Sequence, residues 1–324
     1  MAQLKGKAME RRTFSKGLLA GAALASSGWA RAQSGRQPTM VVPYTPGGST
    51  DILGRLFTEA YSSQAGDKYI VENRPGANGM LGTAHVSSSP PDGRTLMYTF
   101  GNLMLNQEFL MKENRIQPLR DLVPVTRACL IQAVIVAAPS FPASNLRQLL
   151  DMARKSPGKH TYAYYGDLGI AAVAAEADVQ LLRVPYKGGV PGMMDVAAGT
   201  VDVITSSLAQ AAPLLKAGKL KALAVYGDER LREWPDVLTV KEVLPNFRAV
   251  DYQVVMAPKG TQGAVLAQLA QRAQAALAGS EIRQAFLERG AIVAPLSPEE
   301  TLAFMETDRA QLARVVKAAK ILPE

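Results

Sequence analysis

Cysteine and histidine are almost missing from this chain. Cys129 stands alone among 324 residues, so no intramolecular disulfide is possible and the fold must rest on its apolar core. Its setting, Ala128-Cys129-Leu130-Ile131, predicts a buried, inert thiol. His85 and His160 are the only imidazoles. There is no His-Glu-x-x-His, no Cys pair and no carboxylate cluster at metal-ligand spacing, which excludes the common metal sites. A G-x-S-x-G elbow is also absent, and Gly47-Gly48 lacks the spacing of a P-loop or a dinucleotide fingerprint. His85 falls on an expected helix over 83–88 and reads as a partly exposed surface or packing residue; His160 follows Pro157-Gly158-Lys159 and reads as solvated. Lys187 is open in principle to Schiff-base chemistry, although a loop lysine more commonly pairs with an acid or with helix-end carbonyls. No catalytic set, metal or cofactor is expected.

Long hydrophobic runs are lacking as well. The most apolar stretch near the N-terminus, residues 17–30, is interrupted by Ser26, Ser27 and Gly28 and falls short of the ~20 residues a membrane span needs. It follows Arg11-Arg12 and precedes Ala30-Arg31-Ala32, an A-x-A cleavage pattern, so residues 1–32 read as a Tat export signal. Glu10 and Ser15 depart from the usual residues around a twin arginine, which leaves the Sec route open. Met9 is an alternative start. The expectation is a periplasmic protein cleaved near Ala32. The whole chain carries a formal charge of +8; without residues 1–32, 30 basic residues face 27 acidic ones, or +3. No basic run interleaves with aromatics, so nucleic acid is not an expected partner.

What the remaining chain does contain is alternation. Strand-like runs fall at 40–44, 69–72, 95–99, 131–137, 161–165, 181–184, 201–204, 222–225, 250–256 and 291–294. Helical patterns lie between them, at 49–62, 145–155, 192–198, 263–278 and 298–317. The pattern predicts an α/β protein with mostly parallel sheets. Pro-flanked stretches near 139–143 and 246–251 suggest two crossings, giving a first lobe of residues 33–138 plus 251–324 and an inserted second lobe of 139–250. In such folds ligands bind at the carboxyl ends of strands, where loops of the two lobes face one another.

The segment Met40-Val41-Val42-Pro43-Tyr44-Thr45-Pro46-Gly47-Gly48-Ser49-Thr50-Asp51 is one such strand end. Ser49 or Thr50 is placed to cap the following helix, whose first N–H groups and dipole favour an anion. Glycine permits close approach to the backbone, so a carboxylate cradle is expected here.

Four further loops recur with this one: residues 71–79 (VENRPGANG), 91–96 (PDGRTL), 184–189 (VPYKGG) and 217–225 (AGKLKALAV). Their order and spacing resemble the substrate-binding proteins of tripartite tricarboxylate transporters, the Bug family, over essentially all of the chain from Thr39 onward. The resemblance implies a type II periplasmic binding-protein fold, with two α/β lobes closing over a small carboxylate. It also implies delivery to the integral-membrane subunits of a tripartite transporter, by a receptor expected to be monomeric. In that family the ligand is held largely by main-chain groups and bridging waters at one loop per lobe. Carried onto this chain, the first loop is Tyr44, Gly47, Gly48, Ser49, Thr50 and Asp51, with Asp51 bracing the helix start. Asn73, Arg74, Gly76 and Asn78 are expected to be structural, Arg74 pairing with Glu72 or Asp51. Asn102, Ser206 and Ser207 follow strands that end at the cleft and are candidate contacts, as is Lys187.

The second loop departs from the family pattern. Relatives carry a small-residue run leading to a His-Leu pair; here Tyr164, Tyr165, Gly166 and Asp167 take its place and Ala172 stands at the histidine position. Two tyrosines narrow the cleft and offer hydroxyl donors, and Asp167 favours an amine-bearing or monocarboxylate ligand over a polyanion. Tyr164 as a plain core residue is an equal alternative. Beside a solute receptor, two other roles fit the sequence: a ligand-binding sensor partner and, with weaker support, a periplasmic enzyme on the same fold.

Overall fold

Short β-branched and aromatic runs become strands wherever both faces can be covered. The computed structural model describes residues 36–112, 116–186, 188–247, 251–318 and 321. The expected export segment and Lys187 lie outside the described residues. Strands β1 (Thr39–Val42), β2 (Ile70–Asn73), β3 (Thr95–Phe100) and β4 (Leu122–Ile131) are followed by β5 (Ala133–Ala137), β6 (Thr161–Tyr164) and β7 (Leu182–Pro185). Then come β8 (Val203–Ser207), β9 (Lys221–Val225), β10 (Asp251–Pro258) and β11 (Ala291–Val293). They form two sheets, ordered β11-β4-β10-β3-β1-β2 and β7-β6-β8-β5-β9, one to each lobe of an α/β fold.

The sheets are mixed, which corrects the expectation of mostly parallel pairing. β1 runs parallel to β2 and β3, and β6 parallel to β7 and β8. β10 is antiparallel to β3 and β4, and β5 is antiparallel to β8 and β9. The antiparallel members are the strands at which the chain passes between sheets. That passage lies at Gln132, between β4 and β5, ahead of the expected Pro139. The return is at β10, whose first residue is Asp251.

Three apolar clusters cover the sheets. Helix Ser49–Ala65 buries Leu53, Phe57 and Tyr61, a four-residue repeat, against β1 and β3, and stops at Gly66 with φ +69°. Each such side chain is worth about 1.5–3 kcal/mol on burial. The second sheet has its own outer cluster around Val136, Ile204 and Val225. A third cluster runs through both lobes, joining Val41 and Met97 of the first sheet to Ile135 and Val203 of the second. Helix Pro298–Ala318 seals it with Met305, Leu312 and Val315, and touches β4, helix Gly101–Leu110 and helix Gly169–Glu176. No helix among the described residues is long and apolar enough to cross a membrane.

Candidate ligand-binding cleft

The first loop is held from inside the helix. Gly48, not Ser49 or Thr50, is the N-cap and has no side-chain cap bond; Ser49 is already the first helical residue. The capping role passes to Asp51, whose Oδ2 accepts the Gly47 N–H at 2.9 Å across a loop turned by Gly47 at φ +82°. Arg55 approaches both carboxylate oxygens, and Asn73 Nδ2 donates to Oδ1 at 2.8 Å and to the Tyr44 carbonyl at 3.1 Å. Burial opposes the charge, yet the bonds from Arg55, Gly47 and Asn73 hold the carboxyl below the usual range. Asp51 is therefore committed to bracing the loop. Thr50 faces inward to Gln253, 3.5 Å away. Burial pushes the Tyr44 phenol up to about 12, leaving a neutral donor. Arg74 pairs with Glu72 at 2.7 Å.

Facing residues of the two lobes enclose a cleft of about 270 Å³. Asn78, Gln107, Leu110 and Met111 come from the first lobe; Tyr164, Tyr165, Gly166, Arg183, Pro185 and Tyr186 from the second. Tyr164 closes β6, and its ring lies 4.8 Å beneath the Arg183 guanidinium, a cation–π pair across neighbouring parallel strands. It is both buried core and cleft wall, so the two readings of this residue are not exclusive. The Tyr165 hydroxyl donates to the Thr205 carbonyl at 3.0 Å, and Tyr186 donates to Asp195 at 2.6 Å. Gly166, at φ +95°, turns the loop and presents its carbonyl to Asn106 Nδ2 of the other lobe at 3.1 Å.

A second, smaller cavity of about 30 Å³ lies beside that bond. Asn102, Asn106, Asp167, Thr205, Tyr226, Asp251, Asp308 and Gln311 supply its polar wall, and Ala172 and Leu312 are among its apolar residues. Asn102 donates to Asp251 at 2.5 Å, Gly169 N–H to Asp167 at 2.8 Å, and the Tyr252 hydroxyl to Asp308 at 2.8 Å. Burial and the neighbouring Asp251 push the Asp167 carboxyl well above the carboxylate range. Burial raises Asp251 despite the bond from Asn102. Asp308 is pushed up to about 7 by burial, opposed by the Tyr252 bond and reinforced by Asp251. Gly169 is required here by space: a Cβ would lie 2.8 Å from the Tyr226 hydroxyl and 2.9 Å from Asp167 Oδ1.

The expected site residues thus separate. Tyr164, Tyr165 and Gly166 line the cleft, whereas Asn102 and Asp167 line the inner cavity. Tyr44, Gly47, Gly48, Ser49, Thr50 and Asp51 line neither of these two cavities. Ser206 turns to Met193 in the outer core and Ser207 stands at the N-cap position of helix Leu208–Lys216 without a side-chain cap bond, while Thr205 reaches the inner cavity. Arg183, Gln107, Asn106, Asp251 and Asp308 were not foreseen. The first sits mid-strand and the others mid-helix or at a strand start, where no turn signal marks them. His160 is packed rather than solvated, edge-on to Phe141 and 3.3 Å from Asp202. Cys129 is buried, its thiol pushed up to about 12 by burial.

The profile of the tripartite tricarboxylate transporter family receptor, TctC, matches residues 53–321. The chain belongs to this family. A UPF0065 protein from the tcbD–tcbE intergenic region of Pseudomonas sp. (strain P51) is 34% identical over 87% of this chain and 88% of its own. The structure of periplasmic binding protein BugD superposes with a TM-score of 0.74 at 28% identity, over 90% of this chain and 99% of that one. The structure of R. palustris Rpa4515 with adipate gives a TM-score of 0.78 at 28% identity, over 90% of this chain and 99% of that one. The two α/β lobes are those of a periplasmic solute-binding protein, and the chain is a solute receptor of the TctC type.

Proposed function

We propose that this protein captures a small carboxylate-bearing solute between its lobes and presents it to the membrane subunits of a tripartite transporter. The observation that carries this reading is the cleft of about 270 Å³, in which Arg183 is fixed over the Tyr164 ring. A guanidinium in a half-enclosed cleft favours a carboxylate by bidentate hydrogen bonding. Gln107, Asn78 and the neutral Tyr186 phenol add polar groups without adding negative charge. The helix start behind Gly47 and Gly48 offers further N–H donors once the lobes close. Binding without chemistry, a monomeric state and a periplasmic site of action complete the reading, supported by family membership and by the adipate seen in a relative.

A thermal-shift screen of the chain from Gln33 against mono-, di- and tricarboxylates, amino acids and aromatic acids tests it. A solute at ~100 times its dissociation constant stabilises by roughly 2.7 kcal/mol. Hits confined to carboxylate-bearing compounds are expected. Hits only among compounds without a carboxylate would contradict the proposal.

A further inference from the structure

The inner cavity gathers two amides and three carboxyls; the Thr205 and Tyr226 hydroxyls that also line it bond to each other at 3.0 Å, and Gln311 adds an amide. Asn102 and Asn106 are more than nine-tenths buried, both line it, and the Oδ1 atom of each has no hydrogen-bond partner. Their orientation is fixed chemically. Asn106 Nδ2 donates to the Gly166 carbonyl and Asn102 Nδ2 to the Asp251 carboxylate, so the amide oxygens are the atoms left over. Beside them stand Asp167, which is nine-tenths buried, and the half-buried Asp251 and Asp308. Among the described residues, no lysine, arginine or histidine forms an ion pair with any of the three. Unpaired buried acceptors cost about 1–3 kcal/mol each, and unpaired charges cost more. Such a wall is complementary to a cationic donor and hostile to an anion.

We propose that this cavity is a subsite for a protonated amine of the ligand, so that the captured solute is an amino-substituted carboxylate. The proposal rests on the receptor reading given above. Size supports it: about 30 Å³ admits a group as large as a water or an ammonium, not a second carboxylate-bearing chain. Position supports it as well, because consecutive residues belong to the two spaces. Gly166 and Gln107 line the larger cleft, and Asp167 and Asn106 line the smaller cavity. The described residues contain no group of three or more His, Cys, Asp or Glu arranged to hold a metal ion, so a directional N–H donor fits better than a metal cation. Burial raises all three carboxyls, and the neighbouring Asp251 adds to this at Asp167 and Asp308, so a nearby positive charge would be favoured.

Calorimetry with matched pairs tests the proposal: succinate against aspartate, glutarate against glutamate, and adipate against 2-aminoadipate. In the full chain, the amine-bearing member of the pair that fits is expected to bind at least about tenfold more tightly, the value of one charge-assisted bond. In Asp167→Asn and Asp308→Asn that ratio is expected to fall towards one. Asp308→Asn keeps an acceptor for Tyr252 and removes a like charge, so its folding is not at risk. Equal binding of both members in the wild-type chain would overturn the amine subsite while leaving the carboxylate receptor intact. A preference that survives both variants would overturn the assignment to this cavity. Binding of no carboxylate in any pair would overturn the receptor reading and the subsite together.

Discussion

Asp51 illustrates how a single carboxylate is claimed by structure before it reaches a ligand. It receives bonds from the Gly47 N–H, Arg55 and Asn73. Asp51→Ala is expected to cost roughly 2 kcal/mol, in the range for hydrogen bonds to a charged group, and a chemical-denaturation midpoint checks this. Gly48 is the opposite case. Its φ is −74° and an added Cβ would meet only the Thr45 carbonyl, at 3.6 Å. Gly48→Val is therefore expected to keep the fold, at a cost of about 1 kcal/mol for the poorer N-cap, yet abolish solute binding, because the side chain would fill the anion's approach to the helix start; unchanged affinity would remove this loop from the site. At this scale the sequence was legible where a turn spelled out its own geometry, as at Gly47. It misled by one position at Ser206, because side chains alternate along a strand and the cavity face belongs to Thr205.

At the scale of elements, β4 is the strand the hydropathy pattern hides. Pro124 and Arg127 interrupt Leu122–Ile131, and proline demotes a run from central strand status. Tertiary context overrides this. Pro124 sits at a register shift opposite Met256, and Arg127 turns its guanidinium over Phe304 and donates to the Ala294 carbonyl. Helix Gly101–Leu110 is set by a contact with no periodic signature. Gly101 lies against the Tyr252 ring so closely that a Cβ would come within 2.1 Å of it. Gly101→Ala is expected to push this helix from β10, costing about 1–3 kcal/mol as overpacking does. Because Asn102 and Asn106 ride on the same helix, it should also weaken solute binding by more than the loss of stability explains. Melting and calorimetry on the same variant separate the two effects.

For the whole molecule, the alternation of strands and helices was enough to read α/β layers, since each layer must cover the other's apolar face, while the two lobes were read from Pro-flanked crossings and the family resemblance. The path between lobes was not readable, because residues 131–137 form an apolar run broken only by Gln132, yet they belong to two strands of different sheets. The carboxylates gathered where the lobes meet make a global prediction. Asp167, Asp251 and Asp308 have raised pKa values in the folded chain, against about 3.9 when unfolded. The native state then holds protons that the unfolded state has released, so stability falls as pH rises from about 4 through about 7. The facing groups leave that sign unchanged. Tyr165, Tyr226 and Tyr252 stay neutral, their phenols pushed well up by burial, and Arg127, although lowered by burial, does not titrate in this window. Asp51, Asp121, Glu242 and Glu300, with lowered values, act only below this window. The unliganded protein should melt at a higher temperature at pH 5 than at pH 8, and the reverse order would contradict the carboxylate cluster. Closure over a solute should likewise appear as compaction in small-angle scattering.

The most direct test of the central claim is a calorimetric titration of the full chain and of Arg183→Gln, using the carboxylate that gives the largest thermal shift. One site per chain and at least about tenfold weaker binding in the variant are expected, as loss of a charge-assisted contact requires. Equal affinity in the two proteins would contradict the placing of the carboxylate in this cleft.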